Sequence, residues 1–134
     1  MRVKNIIDED FTNYKKPSMF IGTSKCNNFK CDKECGKPVC QNSELAKAPT
    51  IEINNANLIN RYLNNPITEA ITMGGLEPFD TFEDTLSFIN DFRDYSDDDI
   101  VLYTGYNYEE IKHLIDMLKC YDNIIVKFGR FIPD

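Results

Sequence analysis

Four of the chain's five cysteines, Cys26, Cys31, Cys35 and Cys40, fall within one stretch of 15 residues rich in Lys, Asn, Asp and Gly. Thiolates are soft ligands that suit zinc or iron–sulfur clusters. Met1 to Tyr14 mixes charged with apolar residues and contains no signal-peptide core, so the expectation is a reduced, cytoplasmic setting in which clustered cysteines bind metal rather than form disulfides. Successive cysteines are separated by four, three and four residues. Structural zinc sites pair their ligands in C-x2-C knuckles, and this stretch has none. Its irregular spacing suits a cuboidal cluster better, while zinc and unliganded thiols stay open as alternatives. A second candidate is Met73-Gly74-Gly75-Leu76-Glu77-Pro78. Two glycines let the backbone approach a ligand closely, although an ordinary strand-to-helix turn uses the same residue types.

The elements that would position these residues can be read from periodicity. Val3 to Ile7 is a possible first strand, and Ser18 to Thr23 reads as a buried strand that feeds the cysteine stretch. Asn42 to Lys47 has room for one or two helical turns, and Thr50 to Ile53 alternates. Ala56 to Leu63 has helical spacing, and Ile67 to Met73 is a strand that runs into the two glycines. Asp80 with Glu83 predicts a capped helix whose face carries Phe82, Leu86, Ile89 and Phe92. Ile100 to Tyr103 is a strand. Asn107 with Glu110 caps a helix presenting Tyr108, Ile111, Leu114, Ile115 and Leu118, and Asn123 to Phe128 is the last strand. This alternation implies right-handed βαβ units. The expected fold is α/β, an open partial (β/α) barrel with a mostly parallel sheet of four or five strands, forming a single domain over residues 1–134. Its ligand should sit at the carboxyl ends of the strands, where both the cysteine stretch and the glycine turn would lie.

The stretch C-N-N-F-K-C-D-K-E-C-G-K-P-V-C-Q-N resembles the cysteine motif of the radical-SAM superfamily, whose usual form is C-x3-C-x2-C. Val39-Cys40-Gln41-Asn42 resembles the motif's end in the activating enzymes of glycyl-radical proteins, including those of anaerobic ribonucleotide reductase. Gly74-Gly75-Leu76-Glu77-Pro78 is similar to that family's G-G-E-P, with Leu76 inserted. Leu102-Tyr103-Thr104-Gly105-Tyr106 and Gly129-Arg130-Phe131-Ile132 resemble two further segments of the reductase activases. The resemblance covers residues 18 to 132. It implies that Cys26, Cys31 and Cys40 ligate a [4Fe-4S] cluster, with Cys35 in an insertion, and that one iron is left for S-adenosylmethionine (SAM). It further implies Val39, Asn42, Gly74, Gly75, Glu77 and Tyr103 as cofactor-binding residues, a glycyl-radical partner, and flavodoxin or ferredoxin as reductant. Family members continue past the G-x-F-I segment with another strand and further SAM contacts, so the resemblance implies that part of the SAM site is missing here or supplied by a partner, as in a minimal or truncated variant. Four cysteine ligands would instead close the cluster, leaving a non-catalytic electron-transfer or adaptor module on iron–sulfur or zinc.

Other features carry less. Net charge is −7 with the basic residues scattered, which argues against nucleic acid as a partner. No apolar run approaches the ~18–20 residues a membrane span needs. His113, mid-helix beside Lys112, reads as a solvated or half-buried helix residue, Cys120 as core, and Asp97 to Asp99 as a solvated helix exit with at most a weak cation site. No Ser-His-Asp triad or P-loop is present.

Overall fold

A hairpin begins the chain. In the computed structural model, which describes residues 1–23, 51–75 and 77–129, β1 (Arg2–Asp10) and β2 (Ser18–Thr23) pair antiparallel. The seven residues between them are too few for a parallel crossover, which needs a dozen or more. A two-residue strand, β3 (Ile51–Glu52), adds antiparallel to the other side of β1. From β2 onward the pairing is parallel: β4 (Ala70–Gly74), β5 (Asp99–Thr104) and β6 (Ile124–Phe128) follow in turn. The sheet order is β3-β1-β2-β4-β5-β6.

This corrects the expected fold. The sheet has six strands rather than four or five, and it is mixed, with the β3-β1-β2 portion antiparallel, instead of a mostly parallel partial barrel. The run R-V-K-N-I-I-D-E-D of β1 hid the hairpin, because its burial does not alternate and its pairing with β2 carries two irregularities of register.

Three α-helices lie among the described residues: α1 (Asn55–Leu63), α2 (Phe82–Phe92) and α3 (Tyr108–Leu118). Asn54 caps α1 by accepting from the Asn57 N–H at 2.7 Å, satisfying a donor the helix start leaves open. The expected Asn107–Glu110 capping box opens α3. The expected Asp80 cap does not form. Pro78–Thr81 is instead a 3-10 turn capped by Glu77, and α2 starts after it, at Phe82.

One face of the sheet holds the core. Met19, Ile71, Ile100 and Ile124 align across β2, β4, β5 and β6, and Ile21, Met73, Leu102 and Val126 align one step further on. Leu58, Ile59 and Tyr62 of α1, Phe88, Ile89 and Phe92 of α2, and Ile111 and Leu118 of α3 join them in one cluster. Full burial of side chains such as Phe88 and Phe92 stabilises by about 1.5–3 kcal/mol each. Cys120 is exposed, contrary to its expected place in the core, because the apolar stripe of α3 ends at Leu118. Since side chains alternate along a strand, Asn5, Phe20, Gly22, Thr72, Gly74, Val101, Tyr103 and Lys127 belong to the opposite face, to which no described helix contributes.

Candidate functional site

Parallel pairing brings the carboxyl ends of β2, β4, β5 and β6 to one edge. Gly22 pairs with Gly74, and the Thr23 hydroxyl donates to the Gly74 carbonyl at 3.2 Å. The cysteine-bearing residues follow Thr23 directly in the sequence, so that stretch departs from the edge at which the glycine turn lies. Gly75 has φ 80°, a left-handed conformation that favours glycine.

Glu77 is the organising group of this edge. It is 7% exposed, and both carboxylate oxygens are engaged. Oε2 accepts from the Thr104 hydroxyl at 2.8 Å and the Phe79 N–H at 3.2 Å, and Oε1 accepts from the Gly105 N–H at 2.8 Å. Thr104 in turn accepts from the Tyr106 N–H at 3.1 Å, and its carbonyl accepts from the Gly129 N–H at 3.1 Å. The Tyr106 hydroxyl donates to Asp80. The segments G-G-L-E-P and Y-T-G-Y are therefore two halves of one hydrogen-bond network that ties the end of β4 to the end of β5. Burial raises the Glu77 pKa above the usual carboxylate value, and the three hydrogen bonds oppose that shift.

Tyr103, expected beside a cofactor, projects from the face opposite the helices and donates its hydroxyl to the Asn13 carbonyl of the β1–β2 connection. Its Cβ would lie 3.5 Å from a side chain begun at Gly74. Gly74 and Tyr103 thus sit together, while Glu77 faces into the protein. Val39, Asn42, Cys26, Cys31, Cys35 and Cys40 lie outside the described residues, as do the expected turns of Asn42 to Lys47.

Sequence reasoning missed two features. Asn5 lies over Gly22, where an added Cβ would come within 1.9 Å of Asn5 Oδ1. That oxygen is buried without a hydrogen-bond partner. The β1–β2 connection also crosses the sheet, and its start was legible as an Asx turn: Asp10 accepts from the Thr12 N–H at 2.9 Å, from the Thr12 hydroxyl at 2.8 Å, and from the Asn13 amide. Asp97 to Asp99 is no cation site in waiting, because Asp98 accepts from Tyr62 at 2.6 Å and Asp99 from Tyr14 at 2.8 Å. Burial, then the Asp98 hydrogen bond, raises the Tyr62 pKa.

Residues 18–134 match a family described as a 4Fe-4S single cluster domain. The chain belongs to that family. No curated protein and no solved structure matches it. In a 4Fe-4S single cluster domain the donors must be thiolates or similar soft groups, and the four cysteines following β2 are of that type. Among the described residues, no group of three or more His, Cys, Asp or Glu could hold a metal ion, and no helix is long and apolar enough to cross a membrane. The match begins at Ser18, the first residue of β2, so β1 and the connection that follows it precede the matched residues.

Proposed function

We propose that this protein is a radical-SAM protein of the activating-enzyme type. Cys26, Cys31 and Cys40 would hold the [4Fe-4S] cluster, with one iron left for the amino and carboxylate groups of SAM. When bound, the cluster would supply the one electron that splits SAM into methionine and a 5′-deoxyadenosyl radical able to take a hydrogen atom from a partner, by family analogy the glycine of a glycyl-radical protein, and reduced flavodoxin or ferredoxin would restore that electron. Val39 and Asn42 would flank the cofactor, the Gly74–Gly75 backbone would let it approach, and Tyr103 would border it. Glu77 would act through the turn, holding it against Thr104 and Gly105.

The observation that carries this reading is the parallel pairing of Gly22 with Gly74, from which the thiolate-rich stretch and the glycine turn leave the same edge. The test is anaerobic reconstitution with iron and sulfide, followed by EPR of the reduced protein with and without SAM, and chromatography for 5′-deoxyadenosine. The reading expects iron, a SAM-dependent change in the EPR signal and nucleoside release under reductant. Zinc in place of iron, or an EPR signal indifferent to SAM, overturns it.

A second reading has a specific observation in its favour. The Glu77 carboxylate is occupied by three internal donors and so is not free for a ligand's ammonium group. With Cys35 as a fourth thiolate the cluster would be closed, and the chain would be an electron-transfer or adaptor module. Cys35→Ala separates the two readings: the first expects the variant to keep its cluster and its SAM response, the second expects cluster loss.

A further inference from the structure

The connection Phe11 to Pro17 contacts β5 near its start and near its end, through Asp99 and Tyr103, on the sheet face opposite the helices. Its two ends are fixed. Asp10 is held by Thr12 and Asn13 at one end, and at the other the Pro17 carbonyl accepts from the Glu69 N–H at 2.8 Å. Between them it meets the sheet through polar contacts. Tyr14 Oη and Lys16 Nζ donate to Asp99 Oδ2 at 2.8 and 3.2 Å, at the start of β5. The Tyr103 hydroxyl donates to the Asn13 carbonyl near the end of β5. Lys127 Nζ sits 5.3 Å from the centre of the Tyr14 ring and 5.8 Å from that of Tyr103.

The segment has little apolar anchorage. Phe11, its one fully apolar large side chain, is 62% exposed. Yet Val101, which lies between Asp99 and Tyr103 on the same face of β5, has no exposure at all. A cover fixed at its ends and fastened in the middle by hydrogen bonds can open locally, without unfolding the core beneath.

We propose that residues 11–16 form a releasable strap over this face, latched by Tyr14–Asp99 at one end of β5 and by Asn13–Tyr103 at the other. Its opening controls access to the sheet face beside Gly74. The strap precedes the residues that match the family, so the device belongs to this chain's own amino-terminal hairpin. It goes beyond the proposed function and does not need a bound cluster.

The test uses the full chain and two readouts. In a Val101→Cys background, the rate at which iodoacetamide labels residue 101 is followed by peptide mass. Asp99→Asn and Tyr103→Phe, each weakening one latch, should raise that rate by up to roughly tenfold, the equilibrium equivalent of one hydrogen bond. In the chain without Val101→Cys, the same two changes should speed amide exchange in residues 11–16 and tryptic cleavage after Lys15, while exchange in β4 and α2 stays unchanged. Labelling that ignores both latch variants overturns the proposal. So does a strap that exchanges only together with the core, or one that in the unaltered protein already exchanges like a free peptide.

Discussion

Replacing Glu77 tests whether the carboxyl edge is held by one buried carboxylate. Glu77→Ala removes the acceptor of three donors, the Phe79 and Gly105 N–H groups and the Thr104 hydroxyl. Three charge-assisted hydrogen bonds at about 1.5 kcal/mol each would total almost 5 kcal/mol. The desolvation that raises the Glu77 pKa opposes them, so the expected net loss is about 3 kcal/mol. Glu77→Gln keeps one acceptor oxygen but turns an amide N–H toward at least one donor, and should lose about 1–3 kcal/mol at neutral pH. The two variants also differ from the parent in pH dependence. Because the folded-state pKa is raised, the folded protein binds the Glu77 proton more tightly than the unfolded chain does. The unfolding free energy contributed by this group therefore falls as pH rises through the window between the ordinary glutamate value and the raised one, and is greatest below that window. Asp8, Asp10 and Asp99, whose pKa values are lowered, act in the opposite sense and at lower pH. Urea unfolding followed by circular dichroism, from about pH 4.5 to pH 7.5, measures both effects. A wild-type slope in that window that persists unchanged in Glu77→Gln would refute the assignment, as would full neutral-pH stability of Glu77→Ala.

Three further changes have defined outcomes. Gly22→Ala places a Cβ within 1.9 Å of Asn5 Oδ1 and should cost about 1–3 kcal/mol by overpacking, with Asn5→Ala in the same chain restoring most of it in thermal melts. Arg93 donates to the carbonyls of Ser96, Asp98, Asp122 and Asn123; Arg93→Ala should lower stability by about 2–3 kcal/mol, and Arg93→Lys should recover little, because an ammonium cannot reproduce the planar fork. Phe92→Ala, at a position with no exposure against Phe88 and Tyr62, should cost about 3–5 kcal/mol by opening a cavity, read as a drop in the urea midpoint.

Strong local signals made part of the fold legible. Ser18–Thr23 was read to its residue limits because the apolar Met19-Phe20-Ile21 follows Pro17, and the start of α3 because Asn107 and Glu110 form a reciprocal cap. The amino-terminal hairpin was harder. Its first strand alternates poorly, and the βαβ pattern downstream masks what a seven-residue connection dictates, an antiparallel pair. The helix face of α2 was half right: Ile89 and Phe92 are buried as expected, but Phe88 and Thr85 take the places given to Phe82 and Leu86, which are only partly buried. That rotation follows from the start of the helix, which the 3-10 turn of Pro78–Thr81 sets in place of an Asp80 cap. At the candidate site, that β2 and β4 end at one edge was legible from strand order alone. The partners of Glu77 were not, because pairing it with Thr104 and Gly105 spans 27 and 28 residues of sequence, and only the parallel register of β4 and β5 brings them together.

That pairing changes what the two short segments mean. Taken separately, G-G-L-E-P and Y-T-G-Y are a turn and a strand end, each common on its own. Taken together, one supplies a buried carboxylate and the other the hydroxyl and N–H that satisfy it, so the geometry of the edge depends on both. The Gly105 N–H donates to Glu77 Oε1 at 2.8 Å, and an added Cβ would make only ordinary contact with that oxygen, at 3.7 Å, so the backbone itself serves the carboxylate. The Thr104 hydroxyl donates to the carboxylate while accepting from the Tyr106 N–H. The turn beside Thr23 is thus fixed by internal hydrogen bonds before any ligand arrives. Such preorganisation lowers the ordering cost of binding. On the proposed function, a ligand at this edge would be met by backbone at Gly74 and Gly75 and by Tyr103, because the Glu77 carboxylate is engaged by three donors inside the protein.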